Sequence, residues 1–161
     1  MAATKPDDAE LASPACYAHE ADPFYMMAPP SGPVLLFDGV CVLCSGSVRF
    51  VLAHERDHDI RFATMQSRTG QALLRLHNLP VTDWDSVVFV ADGRPLERSA
   101  AALAMAGHLR APWRWLRAAA IVPRPLRDRI YDWIARHRYR WFGRRDACMV
   151  PDLATRARFL D

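Results

Sequence analysis

Four consecutive apolar residues, Val34-Leu35-Leu36-Phe37, run into the turn signal Asp38-Gly39 and then into Cys41-Val42-Leu43-Cys44. An unbroken apolar run of this kind suits a strand buried on both faces, and such a strand belongs to a sheet that helices cover on both sides. Behind the cysteines, from Ser45 to about Asp57, the residues Val48, Val51, Leu52 and Glu55 recur at helical spacing, with no glycine or proline beyond Gly46. The unit is strand, cysteine pair, helix, and it commits the chain to an α/β architecture.

The remaining elements extend that unit. Ile60-Arg61-Phe62-Ala63 alternates like a short strand, and Ser67 is placed to cap a helix carrying Ala72, Leu73, Leu76 and Leu79 before Pro80. Ser86-Val87-Val88-Phe89-Val90 reads as a second strongly apolar strand, and Asp92-Gly93 turns it into a hairpin with Arg94 to Glu97. Ser99 then caps an alanine-rich helix through about Leu109. The predicted order is β-α-β-α-β-β-α, with a parallel part and a terminal hairpin, on a core of residues 33–109.

Beyond Pro112 the pattern is helical. One segment runs from Pro112 to Ile121-Val122, and another starts at Pro123 and Pro125 and runs to about Trp141, ended by Gly143. In the second, Leu126, Ile130, Trp133, Ile134, His137 and Trp141 share one stripe, with Arg127, Arg129, Arg136, Arg138 and Arg140 mostly off it. The stripe is expected to cover the sheet, with Trp133 and Trp141 as core and residues 110–161 as a basic helical extension. Residues 1–32 combine six-fold proline and glycine punctuation (Pro6 to Gly32) with acids and alanines and show no sustained period, so a flexible acidic arm is expected there.

Composition then narrows function. No apolar run approaches the roughly 18 residues that a membrane span needs. Asp7, Asp8, Glu10, Glu20 and Asp22 interrupt every early apolar stretch, so no signal peptide is read and a reducing, cytoplasmic compartment is expected. Four cysteines in 161 residues are too few for a disulfide-stapled scaffold. The net charge of +3 hides an asymmetry: Arg110 to Arg145 holds eleven arginines, no lysine and only Asp128 and Asp132 as acids, a local +9 against −6 elsewhere. Such a block is either a solvated helix face or a surface for an anionic membrane or an acidic protein. Nucleic acid is disfavoured, because no base-reading motif is present and the rest of the chain is acidic.

The cysteine pair carries the chemistry. Two thiols three residues apart at the start of a helix lie on one face of its first turn, close enough to close a disulfide. The helix dipole and the free N–H groups favour a thiolate at Cys41, making it the nucleophile, with Cys44 deeper and resolving. Asp38, three residues upstream, takes the Cys44 proton or hydrogen-bonds the turn. Cofactors are not expected beyond the redox-active Cys41–Cys44 pair itself. A zinc reading of Cys41, Cys44, His54 and His58 fails on geometry, because ten helical residues separate Cys44 from His54 by about 15 Å while zinc ligands sit about 2 Å from the ion. A copper chaperone would offer a methionine where this chain has Gly39. Cys16 reads as incidental and Cys148 as buried or incidental, and His19, His77, His108 and His137 are scattered without forming a hydrolytic triad.

The residues Phe37-Asp38-Gly39-Val40-Cys41-Val42-Leu43-Cys44, followed by Gly46-Ser47-Val48-Arg49-Phe50, resemble the opening of the DCC family of thiol-disulfide oxidoreductases, named for one Asp and two Cys. The likeness extends through Arg61-Phe62-Ala63, Gln66-Ser67 and the closing run from Arg138 to Cys148, covering about Val34 to Leu160. It implies a thioredoxin-like mixed sheet flanked by helices and disulfide exchange with a protein or low-molecular-weight thiol, and it makes Cys148 a family feature with a possible auxiliary role. Where the wider thioredoxin superfamily places a proline ahead of the third strand, this chain has Trp84-Asp85-Ser86. The competing expectation is a non-enzymatic module that docks its basic, aromatic helices, with Trp113, Trp115, Tyr139 and Trp141, on an anionic membrane or an acidic partner.

Overall fold

The apolar run forms strand β1 (Val34–Phe37), all four residues of which are buried. A computed structural model describes residues 32–84, 86–145 and 151–160. Within them follow α1 (Val42–His54), β2 (Arg61–Thr64), α2 (Arg68–Leu76), β3 (Val88–Ala91), β4 (Arg94–Glu97), α3 (Arg98–Gly107), a 3-10 segment (Trp113–Ile121) and α4 (Arg124–Phe142), with a short 3-10 turn at Arg156–Arg158. The expected arm falls on residues 1–31, outside the described residues, as does Cys16.

The sheet order is β2-β1-β3-β4. β1 runs parallel to β2 and antiparallel to β3, and β3 pairs antiparallel with β4. This mixed sheet with helices on both faces is the thioredoxin-like fold. The period of two in β1 divides the core: Leu35 and Phe37 pack with Val48, Val51, Phe62 and Phe89 beneath α1 and α3, while Val34 and Leu36 pack with Leu73, Leu74 and Val88 on the side of α2. At the β3–β4 hairpin Asp92 and Gly93 both take positive φ, 50° and 70°, as a two-residue turn matched to the strand twist requires.

Ser67 caps α2 as expected, its hydroxyl accepting from the Gly70 N–H at 3.0 Å. Ser99 does not cap α3. The helix begins two residues earlier, after Glu97, and the buried Ser99 hydroxyl donates to Asp128 of α4 instead. The larger correction concerns α4. Its stripe does not cover the sheet: Leu126, Ile130, Trp133, Ile134 and Trp141 are exposed, Trp133 by 52%. The face turned inward carries Tyr131, Ala135 and Arg138, which, with Ile134 at the edge of the stripe, border a cavity with Leu35 and Phe37. A period of 3.6 locates a stripe on a helix but not the side its neighbours occupy, and here polar side chains reach the interior because hydrogen-bond partners wait for them.

Candidate active site

Cys41 is the N-cap of α1, with extended backbone (φ −78°, ψ 120°). Its sulfur accepts the N–H of Cys44 at 3.2 Å, in the way a capping serine oxygen accepts from the third helical residue. Both cysteines are free thiols. The Cys41 thiol is lowered from an ordinary 9.0 to about 7, chiefly by the hydrogen bond from the Cys44 side chain; burial opposes this, and the Cys44 N–H and the Arg138 charge support it against Asp38. Cys44 is pushed strongly upward, because it gives that hydrogen bond, is buried, and faces the charge that develops on Cys41. One thiolate in the pair is stabilised at the expense of the other.

Asp38 lies behind the pair, buried, at the end of β1. Its Oδ1 accepts from the Val40 N–H at 3.2 Å and from Gln66 Nε2 at 2.6 Å, and Gln66 in return accepts the Gly39 N–H at 3.1 Å. Its Oδ2 accepts from the Tyr139 hydroxyl and faces Arg138 Nη2 at 3.8 Å. The same Arg138 nitrogen donates to the Tyr139 oxygen at 3.0 Å and to the carbonyl of Trp84 at 2.6 Å. Burial, and next the carboxylate it contacts, push the Tyr139 phenol up to about 12, so it remains a donor. Of the two roles open to Asp38, bonding to its own turn is therefore seen directly.

The loop ahead of β3, which lacks the superfamily's proline, is held from α4. Arg138 takes the Trp84 carbonyl, and the Val87 N–H donates to the Tyr131 hydroxyl at 3.2 Å. Gln66, Tyr131 and Arg138 have no role in the expected site, and Tyr139, expected on the docking face, instead turns inward onto Asp38. Periodicity places Arg138 among solvated arginines; the resemblance in the Gln66-Ser67 and Arg138-to-Cys148 segments marks Gln66, Arg138 and Tyr139, and nothing in the sequence marks Tyr131.

The accessibility of the thiols is a second correction, although Cys44 is the more deeply packed of the two. Cys41 has 0% exposure and Cys44 has 7%, the reverse of the expected order. The cause is the chain leaving α4: Arg144 forms an antiparallel bridge with Cys41, and the Arg145 N–H donates to the Val40 carbonyl at 2.8 Å. Residues 143–145 thus form a strap across the front of Cys41. Behind it, Cys44 lines a cavity of about 150 Å³ with Phe37, Leu43, Tyr131 and Arg138. An adjoining groove of about 450 Å³ shares Leu43 and Met105 with that cavity and has Leu116 and Phe142 at its sides.

The remaining sequence candidates lie elsewhere. His54, at the far end of α1, stacks on Phe50 with ring centroids 4.3 Å apart and meets Trp113 edge-on. His58 pairs with Glu55, and His108 with Asp59. Among the described residues no three His, Cys, Asp or Glu side chains cluster as metal ligands. Cys148 lies outside the described residues.

A thioredoxin-like sheet with a CxxC pair at the cap of its first helix defines a thiol-disulfide exchange scaffold. The chain belongs to the DCC1-like thiol-disulfide oxidoreductase family, whose pattern it matches over residues 35–144. It is 46% identical over 127 residues to the protein YuxK of Bacillus subtilis, covering 79% of this chain and 93% of the relative. It is 39% identical over 117 residues to a chloroplastic DCC family protein of Arabidopsis thaliana, covering 72% of this chain and 68% of that protein. No solved structure matches the chain. No helix among the described residues is long and apolar enough to cross a membrane.

Proposed function

We propose that this protein is an enzyme of thiol-disulfide exchange in which Cys41 attacks and Cys44 resolves. The Cys41 thiolate attacks one sulfur of a substrate disulfide; the S–S bond breaks, a mixed disulfide forms, and one substrate thiolate leaves. The Cys44 thiolate then attacks the Cys41 sulfur, closing Cys41–Cys44 and releasing the second substrate thiolate. The substrate gains two electrons and the protein loses two, to be restored by a thiol donor. Substrates are protein or small-molecule thiols and disulfides, as the family name implies at a coarse level.

What carries this reading is the position of Cys41, a cap residue whose sulfur accepts the Cys44 N–H at 3.2 Å while its thiol is brought to about 7. Asp38 takes two roles. It pins the turn through Val40 and Gln66, and it is the carboxylate of the site able to receive the Cys44 proton once Cys41 is tied up in the mixed disulfide. Arg138 and Tyr139 hold that carboxylate in place. The resemblance makes Cys148 a family feature: Cys148→Ser should leave exchange largely intact if the residue is structural, and abolish turnover but not trapping if it relays electrons.

The test is adduct trapping. Cys44→Ser should accumulate mixed disulfides at Cys41, identified by mass spectrometry, and Cys41→Ser should trap few or none. Equal trapping by both single variants would sink the assignment.

A further inference from the structure

The overturned expectation for α4 leaves a surface without a partner. Leu126, Ile130, Trp133 and Trp141 form an exposed stripe along the helix, and the rings of Trp133, His137 and Trp141 cluster with centroids 4.9 to 5.4 Å apart, His137 stacked on Trp141 and Trp133 edge-on to Trp141. The 3-10 segment adds Trp115 and Leu116, and Ile121 is 90% exposed. Leu116 and Phe142 line the same groove, so the 3-10 segment lies beside the C-terminal end of α4. Large apolar side chains gathered this way mark an interaction site, since soluble surfaces scatter them singly.

The charges around the stripe say what the site meets. Arg114, Arg117, Arg129, Arg136 and Arg140 are exposed. The two acids of the block turn back onto the protein: Asp128 accepts from Ser99, and Asp132 pairs with Arg98 at 3.2 Å. What faces outward is therefore apolar and aromatic, bordered by guanidinium groups. A stripe running the length of a 19-residue helix, about 28 Å, fits an extended apolar boundary better than a single protein pocket. Tryptophan rings favour the level where lipid headgroups meet acyl chains, and arginines there meet anionic phosphates.

We infer that the face made by α4 and the 3-10 segment seats the protein on the surface of an anionic lipid bilayer. α4 lies in the interface plane with Trp133 and Trp141 dipped among the headgroups.

The full chain tests this by co-sedimentation with vesicles of phosphatidylcholine alone or of phosphatidylcholine mixed with phosphatidylglycerol. Partitioning should be at least about tenfold stronger on the anionic vesicles at low salt and should weaken as salt rises. Arg129→Glu with Arg140→Glu, and separately Trp133→Ser with Trp141→Ser, should each cut anionic partitioning by about tenfold or more, with the circular dichroism spectrum unchanged. Equal binding to neutral and anionic vesicles, or partitioning that survives both pairs of substitutions, overturns the inference. Binding to polyglutamate as tight as to anionic vesicles would assign the face to an acidic protein. A dimer in sedimentation velocity that the tryptophan substitutions dissolve would assign it to a second copy of the chain.

Discussion

Cys41, Cys44 and Asp38 sit within seven residues of one another, and their placement together is legible because a turn and one helical turn decide their geometry locally. Gln66 and Tyr139, 28 and 101 residues from the aspartate they bind, could not be, since periodicity says which residues share a face and not what that face meets. Cys41 alkylation should rise with pH to a plateau with its midpoint at about 7, below the ordinary 9.0, because the thiolate is the reactive species and the fold favours it. Cys44→Ala removes the hydrogen bond that lowers Cys41 most and should move that midpoint up, toward 9.0. Asp38→Asn removes a negative charge that opposes the thiolate and should move it down. Rates of iodoacetamide labelling followed from pH 5 to 10 would check all three, and a midpoint that stays near 9 in the parent protein would contradict the site described.

The short local elements were legible: the hairpin at Asp92-Gly93, the Ser67 cap and the helix behind the cysteines all rest on neighbouring residues. The 3-10 segment was read as an ordinary helix over the right stretch, whereas α4 was read with the right ends and the wrong face. That error makes a prediction about stability. Trp133→Ser should change the unfolding free energy by less than about 1 kcal/mol, whereas a core tryptophan would cost about 3 to 5. The opposite case is Gly70 in α2, where an added Cβ would lie 1.9 Å from the Thr64 carbonyl oxygen and 2.9 Å from its carbon. Backbone at the end of β2 cannot yield as a side chain would, so Gly70→Ala should cost at least about 3 kcal/mol, read by urea denaturation.

On the scale of the whole molecule, the far end of residues 151–160 returns to the core. Phe159 stacks on Phe62, with centroids 5.3 Å apart, and meets Phe37 edge-on, and the Leu160 N–H donates to the Phe62 carbonyl at 2.9 Å. This return covers the β2 edge, which would otherwise offer unpaired backbone to other chains. Arg158 ties it further to Glu55, the buried C-cap residue of α1. Phe159→Ala should cost about 3 to 5 kcal/mol because it opens a cavity, and Glu55→Ala less, because the half-buried Arg158 loses its counter-charge but keeps the Ile60 carbonyl. None of this was visible in the sequence, because it depends on contacts about a hundred residues apart. The strap of residues 143–145 has a different consequence, one of kinetics. A sulfur with no exposed surface cannot be struck while Arg144 bridges Cys41, so every collision that succeeds must follow a separation of the strap. As labelling reagent is raised, the modification rate of Cys41 will therefore climb and then level off at the frequency with which the strap opens, and the protein itself, not its reaction partner, will set the fastest turnover it can reach.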